Sequence, residues 1–179
     1  MNVPPRLLLV SHNYAPEPTG IPFYNTAMAE WFVRRGWSVE VLTGVPHYPW
    51  WRVPDAYARR DLRGGRGDEV INGVVVRRVR HFVPTPPPSG LGRMRLDASY
   101  LARWAMRLPR LRRRPDVIIG VAPPFCIGGL LLLLRQRFRV PVVYHAQDLQ
   151  VDAALELGLL PAWGGPFLRA LERWQLAQV

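Results

Sequence analysis

Three short, continuous apolar runs limit what this chain can fold into: RLLLVS at residues 6–11, DVIIGV at 116–121 and VPVVYH at 140–145. Runs of this kind read as strands buried on both faces, which belong to parallel sheets. A fourth segment, WSVEVLT at 37–43, alternates like a strand. Segments with helical spacing lie between them. In 22–36 the apolar residues Tyr24, Met28, Trp31 and Phe32 recur on a helical period, with Pro22 as a good first residue and Gly36 as a good stop. Residues 91–108 place Met94, Ala98, Leu101, Ala105 and Leu108 on one stripe, with Arg103 and Arg107 opposite, and Pro109 ends that helix. Residues 125–137, 148–158 and 164–179 also read as helical. Strand and helix alternate, so the expected class is an α/β, Rossmann-like, three-layer domain with a mainly parallel sheet, occupying 1–179 as one domain.

The other segments are connectors. Residues 44–68 are rich in Pro, Trp, Arg and Gly, and loops of this length inside a domain are usually functional. Val70-Ile71 and Val74 to Val76 flank Asn72-Gly73 and predict a hairpin. Residues 83–90 form a Pro-rich link. The helix at 164–179 carries Phe167, Leu171 and Trp174 on one stripe and reaches Val179 with no Gly or Pro stop, so further chain is expected after it.

Composition excludes several functions. All 24 basic residues are Arg and none is Lys, which removes the lysine of a P-loop and any Schiff base. The net charge of +11 favours anionic partners: nucleotide diphosphates, lipid phosphates, an anionic membrane face or nucleic acid. Zinc spacing, an RNP-like aromatic motif and a recognition helix are all absent, which counts against nucleic acid. No G-x-G-x-x-G follows the first strand, which counts against NAD or FAD. The single cysteine, Cys126, excludes an internal disulfide, fits a reducing compartment and reads as a buried thiol. The N-terminus has no signal-peptide layout, and the longest apolar run is about half a membrane span. A soluble cytoplasmic protein is expected, with the Arg-rich stretch 93–114 either touching a membrane surface or forming a solvated helix face.

In parallel sheets ligands sit beyond the carboxyl ends of the strands, so the loops to inspect are 12–20, 44–51, 122–125 and 146–152. In the first, Gly20 opens a helix whose free N–H groups and dipole favour an anion, or it simply makes a turn; Glu17 and Thr19 flank it. In the last, His145 ends a strand, with Asp148 and Asp152 beyond it. A histidine beside a carboxylate can donate hydrogen bonds or move protons, although the same pattern also suits a strand-end histidine with dipole-favoured acids. His47, Tyr48, Trp50 and Trp51 suit sugar or lipid contact, or a loop packed on its own side chains. His12 and His81 have no partner at metal-ligand spacing, so no metal site is expected.

Together NYAPEPTGI at 13–21, the Met28 to Trp31 helix with Gly36 after it, PHYP at 46–49 and HAQDLQVD at 145–152 resemble family 4 glycosyltransferases. The likeness is strongest to those that build exopolysaccharide, colanic-acid-type and O-antigen chains, and it runs from residue 6 to about 172. It implies the N-terminal, acceptor-side domain of a GT-B fold, whose C-terminal donor-binding domain is missing from this chain and which is inactive alone. By motif it implies that Gly20, with Thr19, lies against the donor diphosphate and sugar. His145 contacts the donor sugar, and Asp148 is the acidic position of the same motif. Glu17, His47 and Tyr48 are the expected acceptor contacts. The implied reaction is transfer with retention from a nucleotide sugar to a glycan or polyprenyl-diphosphate-linked acceptor, without metal or other cofactor. Two alternatives stand beside it: a non-catalytic partner subunit of a split transferase, and a basic nucleic-acid-binding module.

Overall fold

The computed structural model describes residues 3–62, 67–125, 127–147 and 164–178. Six strands form one sheet: β1 (Arg6–Val10), β2 (Ser38–Gly44), β3 (Glu69–Ile71), β4 (Val74–Val79), β5 (Val117–Ala122) and β6 (Val142–Ala146). Their order is β3-β4-β2-β1-β5-β6, and every neighbouring pair is parallel except β3 with β4. The helices are α1 (Ile21–Arg34), a single turn α2 (Asp55–Ala58), α3 (Gly90–Ala105), α4 (Ile127–Phe138) and α5 (Gly165–Leu176). This is the α/β, Rossmann-like arrangement that the strand–helix alternation predicts.

The core lies on both faces of the sheet. Leu7 and Leu9 point to one side with Val39, Val41 and Val121, where Ala29, Met28 and Phe32 of α1 cover them. Leu8 and Val10 point to the other side with Leu42 and Ile118, under Tyr100 and Trp104 of α3 and Leu130, Leu131 and Leu134 of α4. A strand with period-two side chains buried on both faces has no polar positions, hence the unbroken LLLV of β1. The hairpin turns where expected: Asn72 and Gly73 hold φ of 49° and 82°, the pair of positive values that a tight turn between β3 and β4 requires.

Four expectations need correction. VPVVYH forms an edge strand, β6, with exposed Val143 and His145, because among the described residues it pairs with β5 alone. On α1, Tyr24 and Trp31 face outward, and Pro22, Asn25 and Ala29 are the buried positions. On α3 the stripe is rotated: Leu96, Tyr100 and Trp104 are buried, whereas Met94 is 61% exposed. Arg107 does not point away; its guanidinium donates to the carbonyls of Arg78 and Leu62. The rotation follows aromatic size, since Tyr100 and Trp104 also place O–H and N–H on the carbonyls of Leu42 and Thr43. On α5, Phe167 (70% exposed) and Trp174 (51% exposed) face outward, and Gly165 and Gln175 are buried. Cys126 and the expected helix at 148–158 lie outside the described residues.

Candidate functional site

The sheet order places the site. From β1 the chain crosses to β2 on one side, and later enters β5 on the other. The loops leaving β1 and β5 therefore diverge, and a crevice opens beyond the carboxyl ends of the strands at that switch point. A cavity of about 420 Å³ lies there, lined by His12, Asn13, Gly20, His47, Tyr48, Asp97 and other residues from α1, α3 and the loops.

Gly20 stands at the N-cap of α1 with φ of 75°, a left-handed value that favours glycine, and a Cβ on it would meet Tyr48 Cε1 at 3.7 Å. No side chain caps the helix and no acid occupies its first turn. Pro22 has no N–H and Phe23 N donates to the Gly20 carbonyl at 3.1 Å, so the Ile21 N–H and the helix dipole are what the terminus offers an anion. Thr19 beside it is exposed.

Glu17 is buried and holds two loops in place. One carboxylate oxygen accepts from the N–H groups of His47 (2.7 Å) and Tyr48 (2.8 Å). The other accepts from Asn13 Nδ2 at 2.9 Å. Burial raises its pKa, and the hydrogen bonds from His47, Tyr48 and Asn13 oppose the rise. Its oxygens are turned to the protein, so its visible work is to set the loop that carries His47 and Tyr48 against the loop that carries Gly20.

His145 sits at the carboxyl end of β6, in register with Val121, and is exposed. It is on the same side of the sheet as Gly20 but is not in the cavity wall. A polar link joins the two regions. Gln147 Nε2 donates to Asn25 Oδ1 of α1 at 3.0 Å, and buried Asn25 donates to Ser11 Oγ, just past β1, at 2.6 Å. Asp148 and Asp152 lie outside the described residues.

The residues that sequence spacing missed are His12, His81 and Asp97. His12 follows β1, His47 follows β2 and His81 follows β4, so three adjacent parallel strands deliver three imidazoles to one place. Ring centroids are 5.4 Å apart for His12–His47, 4.7 Å for His12–His81 and 4.9 Å for His47–His81. Tyr100 stacks on His12 at 4.4 Å. Burial lowers the pKa of His47 and of His81 to about 4 and holds His12 well below the ordinary range, so all three rings are neutral at pH 7. Asp97 Oδ1 lies 3.6 Å from His12 Nδ1, and burial lifts its pKa to about 7 against an N–H bond from Phe125 and the charge of Arg93. The available signal was the shared context of a histidine within two or three residues of a strand's carboxyl end.

Comparison with known proteins identifies the family. Residues 19–179 match the glycosyl transferase 4-like domain. The chain is 34% identical over 155 residues to WcaI of Escherichia coli (strain K12), a protein named for glycosyl transfer in colanic acid biosynthesis. The match covers 86% of this chain and 37% of WcaI, so the chain spans well under half of that relative's length. With the parallel sheet, the glycine-opened α1 and the cavity at the switch point already in place, the chain belongs to the family of glycosyl transferase 4-like domains.

Proposed function

We propose that this chain is the acceptor-side half of a retaining GT-B glycosyltransferase of bacterial surface-polysaccharide synthesis. The complete enzyme moves a sugar from a nucleotide sugar to a glycan or polyprenyl-diphosphate-linked acceptor, without a metal in the transfer step. One observation carries the reading: the uncapped N-terminus of α1 opens with Gly20 on the rim of a cavity at the carboxyl ends of the strands. Such a terminus stabilises negative charge growing on a departing diphosphate. His47, Tyr48 and Trp51 in the cavity wall supply ring faces and polar edges suited to a sugar acceptor. His145, exposed on the same side of the sheet, is free to meet the donor sugar carried by a second, donor-binding domain, with Asp148 beside it in sequence.

The test is turnover of the full-length enzyme with a panel of nucleotide sugars. His145→Ala is expected to lower kcat by about 100-fold, the scale of losing one transition-state contact, with an unchanged thermal midpoint. Undiminished turnover would remove His145 from the reaction. The 179-residue chain by itself is expected to show no transfer.

A further inference from the structure

The transfer reaction uses His47 in the cavity wall but does not account for its meeting His12 and His81, and the details of that cluster point beyond packing. One ring nitrogen from each of His12, His47 and His81 can be chosen so that all lie within 4.8 Å of one another. His12 is 4% exposed and its Nε2 is buried with no hydrogen-bond partner, an orphaned acceptor or donor. His81 presents the opposite problem. Its Nδ1 lies 3.0 Å from the Phe82 carbonyl and its Nε2 lies 3.2 Å from the Val45 carbonyl. A neutral imidazole has one N–H, so one of these two contacts is a hydrogen bond and the other nitrogen keeps its lone pair. The backbone leaves room for the rings. A Cβ on Gly44 would lie 2.5 Å from His81 Nε2 and 3.2 Å from His12 Cδ2, so only glycine at the end of β2 lets these two imidazoles approach. Behind His12, Asp97 faces Nδ1, the arrangement by which a carboxylate orients a metal-bound imidazole.

We propose that His12, His47 and His81 form a binding site for a borderline-soft divalent transition ion of the zinc class. Three neutral imidazoles are the donor set such ions favour, and ångström-scale ring rotations bring the nitrogens to tetrahedral spacing. His12 and His47 also line the cavity, so the fourth position opens towards it and accepts water or an oxygen of the bound acceptor. The ion anchors and orients on the acceptor side; the departing diphosphate at Gly20 does not need it. Sequence spacing alone gave no sign of the site, because its three ligands lie on separate strand ends.

The experiment is titration of Co²⁺ into untagged, chelator-treated, dialysed protein, followed by the visible d–d absorption and by calorimetry. One ion per chain, an intense tetrahedral-type band and displacement by Zn²⁺ are expected. Gly44→Ala and His81→Gln should each weaken binding by at least about 100-fold, and Asp97→Asn by about 10-fold to 100-fold, the range for a group that orients a ligand. His145→Gln, at the far edge of the sheet, should leave binding unchanged. Absence of saturable one-to-one binding to the wild-type protein overturns the proposal. So does a band that persists unaltered in both Gly44→Ala and His81→Gln. Circular dichroism of each variant separates lost ligands from lost fold, and Gly44→Ala decides if His81→Gln does not fold. The readout is independent of glycosyl transfer, so failure here leaves the proposed reaction standing.

Discussion

Glu17 joins loops thirty residues apart through two backbone N–H bonds and a third bond from Asn13. Removing a buried carboxylate leaves three donors without partners, and each orphaned donor costs about 1–3 kcal/mol before relaxation and water recover part of it. Glu17→Ala is therefore expected to destabilise the domain by about 2–4 kcal/mol in urea unfolding. Glu17→Gln should cost less than half as much, because its amide oxygen still accepts the two backbone donors and Asn13 can turn its own oxygen to the new NH₂. Equal losses for the two variants would mean that the charge, not the hydrogen-bond pattern, holds the loops. Arg78 does comparable work on the same two stretches of chain. Its fully buried guanidinium pairs with Glu69 at 2.5 Å and donates to the carbonyls of Gly44 (3.1 Å) and Ala15. Glu17 was visible in sequence as part of the motif NYAPEPTGI, but its partners were not, since hydrogen bonds across thirty residues leave no periodic trace.

Strands and helices were the most legible features, and their burial was the least. The unbroken apolar runs of β1 and β5 announce strands covered twice, because period-two side chains then meet protein on both faces. VPVVYH has the same composition yet lies at an edge, since strand order depends on crossovers that composition does not encode. Helix faces were only partly placed: Met28 and Phe32 of α1 and Leu101 and Leu108 of the next stripe pack on the core, but the large aromatics of α1, α3 and α5 could serve either face. Packing between elements depends on small residues. A Cβ on Gly120 of β5 would meet Leu131 Cδ1 of α4 at 2.4 Å, and Leu131 is fully buried and cannot swing aside. Gly120→Ala is expected to cost about 1–3 kcal/mol as a fall in the urea midpoint, with secondary structure retained. A midpoint equal to wild type would show that α4 can move off the sheet without loss.

At the scale of the whole molecule, the charge of +11 and the site geometry call for different tests. Among the described residues no helix is long and apolar enough to cross a membrane. Exposed Arg95, Arg103 and Arg110 lie on α3 and just past it. If this surface holds the enzyme near a lipid-linked acceptor, the protein should sediment with anionic vesicles and not with neutral ones. Replacing these three arginines by Gln should weaken binding by about 100-fold at low salt, at roughly 1 kcal/mol per charge near the surface. Binding indifferent to vesicle charge or to these replacements would reassign the arginines to solvation.

The sequence by itself determined the α/β class, the parallel strands, the Asn72-Gly73 turn and the glycine that opens α1, because each follows from local periodicity or backbone preference. The motifs that mark a glycosyl transferase 4-like domain were legible for the same reason: they are contiguous. Only the tertiary structure decided which strand lies at the edge, which helix faces turn inward, and that His12, His47 and His81 meet beside Asp97. Parallel strands deliver their carboxyl ends to one side of the sheet, so residues far apart in the chain become neighbours through strand order, and strand order is a property of the assembled sheet.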